Sequence, residues 1–154
     1  FHSADLPKGK GWAPIYYSIF NNENFFTISG ITASNKVDSG KIIVKGKFKI
    51  LPNHTAEYIR KWDEEISIIL IKTILKKIKN TKISGIPQKG KITFYKKRLP
   101  EDNELSSKNM INHLRACEKN HPAFFYNKNE KFFINIEPEN IPKFPKDLKI
   151  KFYF

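Results

Sequence analysis

Lys41-Ile42-Ile43-Val44-Lys45-Gly46-Lys47-Phe48-Lys49-Ile50 is the stretch whose reading decides the fold class. Ile42, Val44, Gly46, Phe48 and Ile50 alternate with Lys45, Lys47 and Lys49, and Ile43 is the one exception. A period of two with lysine on one side describes a strand with one buried face and one wet face. Gly46 on the inner side leaves room for a bulky neighbour or marks a bulge. Pro52 ends the strand.

Beyond Pro52 the period changes. Asn53 or Thr55 can cap a helix, Glu57 lies in its first turn, and Lys76, Lys77 and Lys79 crowd its last, as the helix dipole favours. Ile59, Trp62, Ile66, Ile69 or Leu70, and Thr73 or Ile74 recur at helical spacing. The spacing predicts one long helix over residues 54–79 that covers the sheet. The β-branched run Ile68-Ile69-Leu70-Ile71 offers a rival strand, but length and caps favour helix.

Towards the N-terminus, Ile15-Tyr16-Tyr17-Ser18-Ile19-Phe20 is rich in β-formers. A turn cluster, Asn21–Asn24, and a second run from Phe25 to Ser34 follow, so a hairpin is expected. Residues 1–13 mix Ser, Asp, Pro, Lys and Gly and read as an extended arm ahead of a single domain over 14–154. Towards the C-terminus, Gly85, Pro87 and Gly90 make a break. Lys91 to Lys97 reads as a strand with Ile92 and Phe94 inward, and Ser106 or Ser107 can cap a short helix reaching about Asn120. Ala123–Tyr126 and Lys131–Glu137 predict a second hairpin. Leu148, Ile150, Phe152 and Phe154 alternate with polar neighbours in a last strand. The sum is an α+β fold: a mostly antiparallel sheet of about six or seven strands, one long helix packed on it and one short helix.

The charge is made in an unusual way. Of 28 basic residues against 15 acidic ones, a formal +13, only Arg60, Arg98 and Arg115 are arginine. Phe, Tyr, Met, Ile, Asn and Lys together make up 81 of the 154 residues, the pattern of an AT-rich genome, so part of the charge reads as codon pressure. Lysine is a hydrated point charge and lacks the planar fork with which arginine reads guanine or phosphate. The local clusters Lys45, Lys47 and Lys49, Lys76, Lys77 and Lys79, and Lys96, Lys97 and Arg98 are therefore the candidates for a diffuse, salt-sensitive anion or nucleic-acid contact. Paired aromatics such as Phe124-Phe125-Tyr126 could stack bases beside them, although core packing is their commoner use.

Motifs that carry chemistry are scarce. His113, Cys117 and His121 stand at i, i+4 and i+8, the spacing at which one helix face could gather metal ligands or a thiol and its base. His121 precedes Pro122 at the expected helix end and no fourth ligand is near, so neither a metal nor a cofactor is expected. His54, His113, His121, Glu64 and Glu65 supply the parts of a small nuclease without any sign of assembly. Gly9-Lys10-Gly11 reads as a two-glycine arm and not a phosphate loop, because no strand precedes it and no helix is expected to follow. The longest apolar-rich run, Ile66–Leu75, falls far short of the roughly 20 residues that span a bilayer. One cysteine, Cys117, excludes an intramolecular disulfide.

These observations lead to three functional expectations. The first is a non-enzymatic basic binding or assembly module contacting RNA or another polyanion, or protein subunits, in a larger complex. An exported or envelope-associated protein-interaction domain is the second, suggested by a chain that starts at Phe1 and not at Met, as after N-terminal processing. The third is a small toxin-like nuclease.

Overall fold

The computed structural model describes residues 1–106 and 108–153 of the chain. Its elements run β1 (Lys10–Gly11), α1 (Pro14–Phe20), β2 (Phe25–Ile31), β3 (Ile42–Lys49), α2 (Ala56–Ile78), β4 (Phe94–Tyr95), α3 (Met110–Ala116), β5 (Ala123–Asn127), β6 (Glu130–Ile134) and β7 (Lys149–Phe152). The class is α+β. The single large sheet is corrected: the strands form a three-stranded antiparallel sheet, β2-β3-β7, and two separate pairs, the parallel β1-β4 and the antiparallel β5-β6.

The main sheet follows the alternation of its central strand. Val44 and Phe48 on β3 point inward beside Phe26 and Ile28 of β2, and all four are buried. Across from them α2 presents Ile59, Trp62, Ile66 and Leu70, also buried. Gly46 leaves the space they fill, since a Cβ there would sit 3.4 Å from Ile66 Cγ2 and 3.6 Å from Leu70 Cδ1. Burial of each such side chain is worth about 1.5–3 kcal/mol, which makes this layer the stabilising centre of the molecule.

Two expectations change here. Residues 15–20 form helix α1, not a strand. Pro14 supplies the fixed φ of a first helical position, Ala13 enters in the left-handed region at φ 49°, and Tyr16 stacks on Phe20 one turn away. Buried Ile15, Tyr16 and Ile19 have helical spacing, which outweighs the β-preference of their side chains. The true hairpin partner of β2 is therefore β3. Residues 91–97 yield only the two-residue β4, and Ile92 and Phe94, expected inside, are 56% and 70% exposed. Within residues 1–13, Ala4, Leu6 and Lys10 are buried, and His2 pairs with Ser29 of β2 through both backbone hydrogen bonds.

α3 covers only Met110–Ala116 and begins at Asn109 in the left-handed region. The alternative cap Ser107, like Phe154 of the expected last strand, lies outside the described residues. Arg115 ties α3 to the entry of α2, donating to the carbonyls of His54 (3.1 Å) and Leu51 (2.8 Å). The expected second hairpin is β5-β6, in register Phe124↔Phe133 and Phe125↔Phe132.

Candidate active site

Two polar side chains from segments far apart in sequence meet where the N-terminal segment runs beside β2. Pairing with Ser29 aims the His2 ring at the turn between β2 and β3, and that turn delivers Asp38. The neck of the turn closes through Thr32 N–H to Lys41 O (2.9 Å) and Lys41 N–H to Thr32 Oγ1 (2.9 Å). Gly40 makes this closure possible, because a Cβ there would lie 1.7 Å from the Thr32 carbonyl oxygen. Asp38 itself sits at φ 50°, a left-handed conformation that Asp tolerates better than most residues.

The pair has a defined geometry. His2 Nδ1 lies 3.5 Å from Asp38 Oδ1, with the two side chains 10% and 17% exposed. His2 Nε2 is 2.7 Å from the carbonyl oxygen of Gly9. A carbonyl only accepts, so the ring donates to Gly9 through Nε2–H and presents Nδ1 to the carboxylate. The other carboxylate oxygen, Oδ2, accepts from Gly11 N–H at 2.9 Å. A proton arriving at Nδ1 creates an imidazolium facing a carboxylate already fixed by a backbone donor. A histidine backed by a carboxylate is the pairing from which general-base centres are built.

A connector between α2 and β4 braces this corner from behind. Ile86 exchanges two backbone hydrogen bonds with Ile42 (2.8 and 2.9 Å). Gln88 Nε2 donates to the carbonyls of Asp38 (2.8 Å) and Gly40 (2.9 Å), clamping the turn on both sides of Ser39. Thr93 Oγ1 accepts from Gly9 N–H at 2.8 Å, and β4 pairs with β1. Each backbone atom that touches the His2–Asp38 pair is thus itself held.

The residues singled out from sequence are placed elsewhere. α3 ends at Ala116 and Cys117 is extended, so His113, Cys117 and His121 do not share a helix face. Among the described residues no cluster of three His, Cys, Asp or Glu could hold a metal. His113 is 4% exposed, between the edges of Tyr16 and Phe20; burial first, and then the Arg98 charge, push its pKa down. His54 is 3% exposed, accepts from Leu51 N–H through Nδ1, and is pushed down to about 4, chiefly by burial and then by Arg115. Burial also pushes the Cys117 thiol up.

The lysine clusters lie apart, on β3, at the end of α2 and in the segment after β4. Lys45 binds Asp5 and the Leu6 carbonyl, Lys47 lies 4.4 Å over the Phe25 ring, and Lys49 stands on the same strand with its backbone N–H on Asp147. Lys76, Lys77 and Lys79 end α2, with Lys77 over Phe152. Lys96 pairs with Asp102, Lys97 lies 5.1 Å over Trp12, and Arg98 stacks 3.3 Å over Tyr16 while donating to Asn103 Oδ1. A larger cleft of about 390 Å³ lies between α1, α2 and the α3 end, but its cations are engaged: Arg60 forms a two-pronged pair with Glu118, and Arg98 is held as above. The described helices include none long and apolar enough to cross a membrane.

His2 and Asp38 escaped the reading of the sequence. His2 fell within the supposed arm, and Asp38-Ser39-Gly40 carried only the signal of a turn. The one local hint is an acidic side chain beside a glycine in a tight turn, and that hint is common to many surface loops.

Comparison with known proteins bears on the chain as a whole. No family model matches the chain. It is 37% identical over 124 residues to the methionyl-tRNA formyltransferase of Borrelia garinii, covering 75% of this chain and 38% of that protein. To the methionyl-tRNA formyltransferase of Mycoplasmopsis pulmonis it is 32% identical over 129 residues, covering 80% and 45%. The chain thus spans less than half the length of these relatives. In structure it resembles the methionyl-tRNA formyltransferase of Clostridium thermocellum with a TM-score of 0.73 at 23% identity, covering 99% of this chain and 67% of that one. The 4-N formyltransferase of Francisella tularensis gives 0.74 at 20% identity, covering 91% and 62%. HypX of Aquifex aeolicus, bound to tetrahydrofolic acid, gives 0.72 at 15% identity, covering 94% and 27%.

These likenesses show a shared fold and overturn the expectation of a non-enzymatic basic binding module, since the similar formyltransferases are enzymes. They lend no support to the exported interaction domain, the nuclease or the codon-pressure reading of the charge.

Proposed function

We propose that this chain carries the proton-transfer centre of an enzyme that moves a formyl group onto an amine, with His2 as general base and Asp38 as its stabilising carboxylate. The observation that carries the reading is the His2–Asp38 pair itself, lying in a chain 37% identical to a methionyl-tRNA formyltransferase over three quarters of its length. In such a transfer a bond forms between the acceptor nitrogen and the formyl carbon, and the bond from that carbon to the donor nitrogen breaks. One proton passes from the acceptor amine to the donor nitrogen. The donor, a formylated tetrahydrofolate by the class of ligand that HypX binds, is a substrate and supplies only the carbon group.

His2 has the features that proton movement requires. The imidazole takes the amine proton as nitrogen attacks carbon, Asp38 beside it lowers the cost of the charged ring, and the proton then passes to the departing nitrogen. A group so placed contributes about 10²–10⁴-fold to the rate. The names of the sequence relatives favour the α-amino group of methionyl-tRNA as acceptor over a sugar amine.

The test is formyl transfer from 10-formyltetrahydrofolate to methionyl-tRNA, assayed with this chain in its complete native polypeptide. Activity is expected, and Asp38→Asn should lower kcat by about 10²-fold or more with the far-UV spectrum unchanged. Transfer undiminished by Asp38→Asn would refute the assigned centre. Transfer to amino sugars but not to methionyl-tRNA would refute the acceptor.

A further inference from the structure

Behind the Asp38 turn lies a cleft of about 340 Å³, lined by Lys10, Ser39, Lys41, Pro87, Gln88 and Ile92. Lys10 is the unusual member. It is only 5% exposed, yet among the described residues no carboxylate lies within ion-pair distance of its ammonium group. Among the described residues the ammonium makes one hydrogen bond, to Ser39 Oγ at 2.7 Å, and that hydroxyl spends its own proton on the Val37 carbonyl. An ammonium has three N–H donors, so two remain unspent. A cation taken out of water without a counter-charge is costly, and proteins normally pair it.

The surroundings do not supply the missing charge. Asp38, the nearest acidic neighbour in sequence, has its carboxylate committed to Gly11 N–H and to the His2 ring. Lys41 adds a second, exposed cation to the wall, and Gln88 turns its Nε2 donor to the Asp38 and Gly40 carbonyls. What remains open is a pocket with two positive groups and ammonium protons available on one of them.

We infer that this cleft is a binding site for one oxyanion group, a carboxylate or a phosphate, held by Lys10 with Lys41 at the rim. The site adjoins the His2–Asp38 pair through Ser39, so an anion seated there lies one residue along the chain from the carboxylate of the pair. The inference stands on the cleft and does not depend on formyl transfer.

The experiment is a two-dimensional amide NMR titration of the chain with inorganic phosphate and, separately, with acetate, at constant ionic strength. Saturable shifts are expected at Ser39, Gly40 and Gln88. Lys10→Met should weaken the binding by about tenfold or more, as loss of a charged hydrogen bond implies, whereas Lys10→Arg should retain it. Saturation by phosphate only assigns a phosphate group, by acetate only a carboxylate, and by both an unselective oxyanion site. Shifts that rise without saturating for either anion, or that saturate equally in Lys10→Met, overturn the site. The Lys10 ammonium resonance of the unmodified chain gives a reading that needs no variant. It must move with the same saturation, and if it stays still the site is rejected even should Lys10→Met fail to fold.

Discussion

The corner formed by His2 and Asp38 and the stretch from His113 to His121 are built from the same kinds of residue and behave in opposite ways. In the second, sequence spacing brings three ligand-type side chains close along the chain, but the helix ends at Ala116 and they diverge. His113 packs edge-on against Tyr16 and Phe20 with its Nε2 lacking a partner among the described residues, and burial pushes its pKa down. In the first, residues far apart along the chain are brought together by a β-bridge and a turn, and each is held by backbone groups that are themselves held. Spacing along a chain is a poor guide to a site unless one regular element spans it. A bridge between extended segments can make a site from residues that no local pattern connects.

The contrast can be broken most forcefully by exchanging the histidines' fates. His2→Gln is expected to lower formyl transfer by about 10²–10⁴-fold in kcat, while His113→Gln changes it less than about threefold in enzyme that remains folded. Equal losses in the two variants would erase the distinction. Next in size is Gly40→Ala. Its Cβ collides with the Thr32 carbonyl, so urea denaturation should show a loss of about 2–4 kcal/mol. A neutral result would mean that the turn carrying Asp38 is less constrained than its geometry implies.

The buried histidines make a prediction about pH. His54 is pushed down to about 4, below the unfolded value of about 6.5. Between those values the unfolded chain binds the proton that the folded chain refuses. Stability is therefore full above about pH 6.5 and falls as the pH drops towards 4. His54→Asn, whose side-chain oxygen can accept from Leu51 N–H, should flatten that slope in denaturation curves taken across the interval. An unchanged slope would assign the acid sensitivity to other groups. The smallest effect expected is that of Gln88→Leu, which removes the clamp on the Asp38 and Gly40 carbonyls. It should cost about 1–2 kcal/mol and lower kcat several-fold with KM little changed, since it displaces the carboxylate without touching substrate.

Much of the scaffold was legible before any coordinates. The alternation from Ile42 to Ile50 and the 3.6-residue recurrence from Ile59 to Leu70 each report a local period, and local period depends on which neighbours share a face. Both appear as β3 and α2. α1 was misread because its β-branched and aromatic side chains favour strand, while Pro14 and the burial of Ile15, Tyr16 and Ile19 decide for helix. The single sheet was misread because strand count says nothing about pairing. β4 joins β1 and not the main sheet, so Phe94 and Tyr95 brace the candidate site without entering the core.

By itself, then, the sequence determined the α+β class, the strand and long helix that make the core, and a positive charge built from lysine. Only the tertiary structure decided that residues 1–13 pack beside β2, that His2 meets Asp38, and that Lys10 is buried with no carboxylate in reach among the described residues. The physical reason is that periodicity records burial along one element. The meeting of distant polar groups depends on how chain segments pair, and no local pattern encodes that pairing.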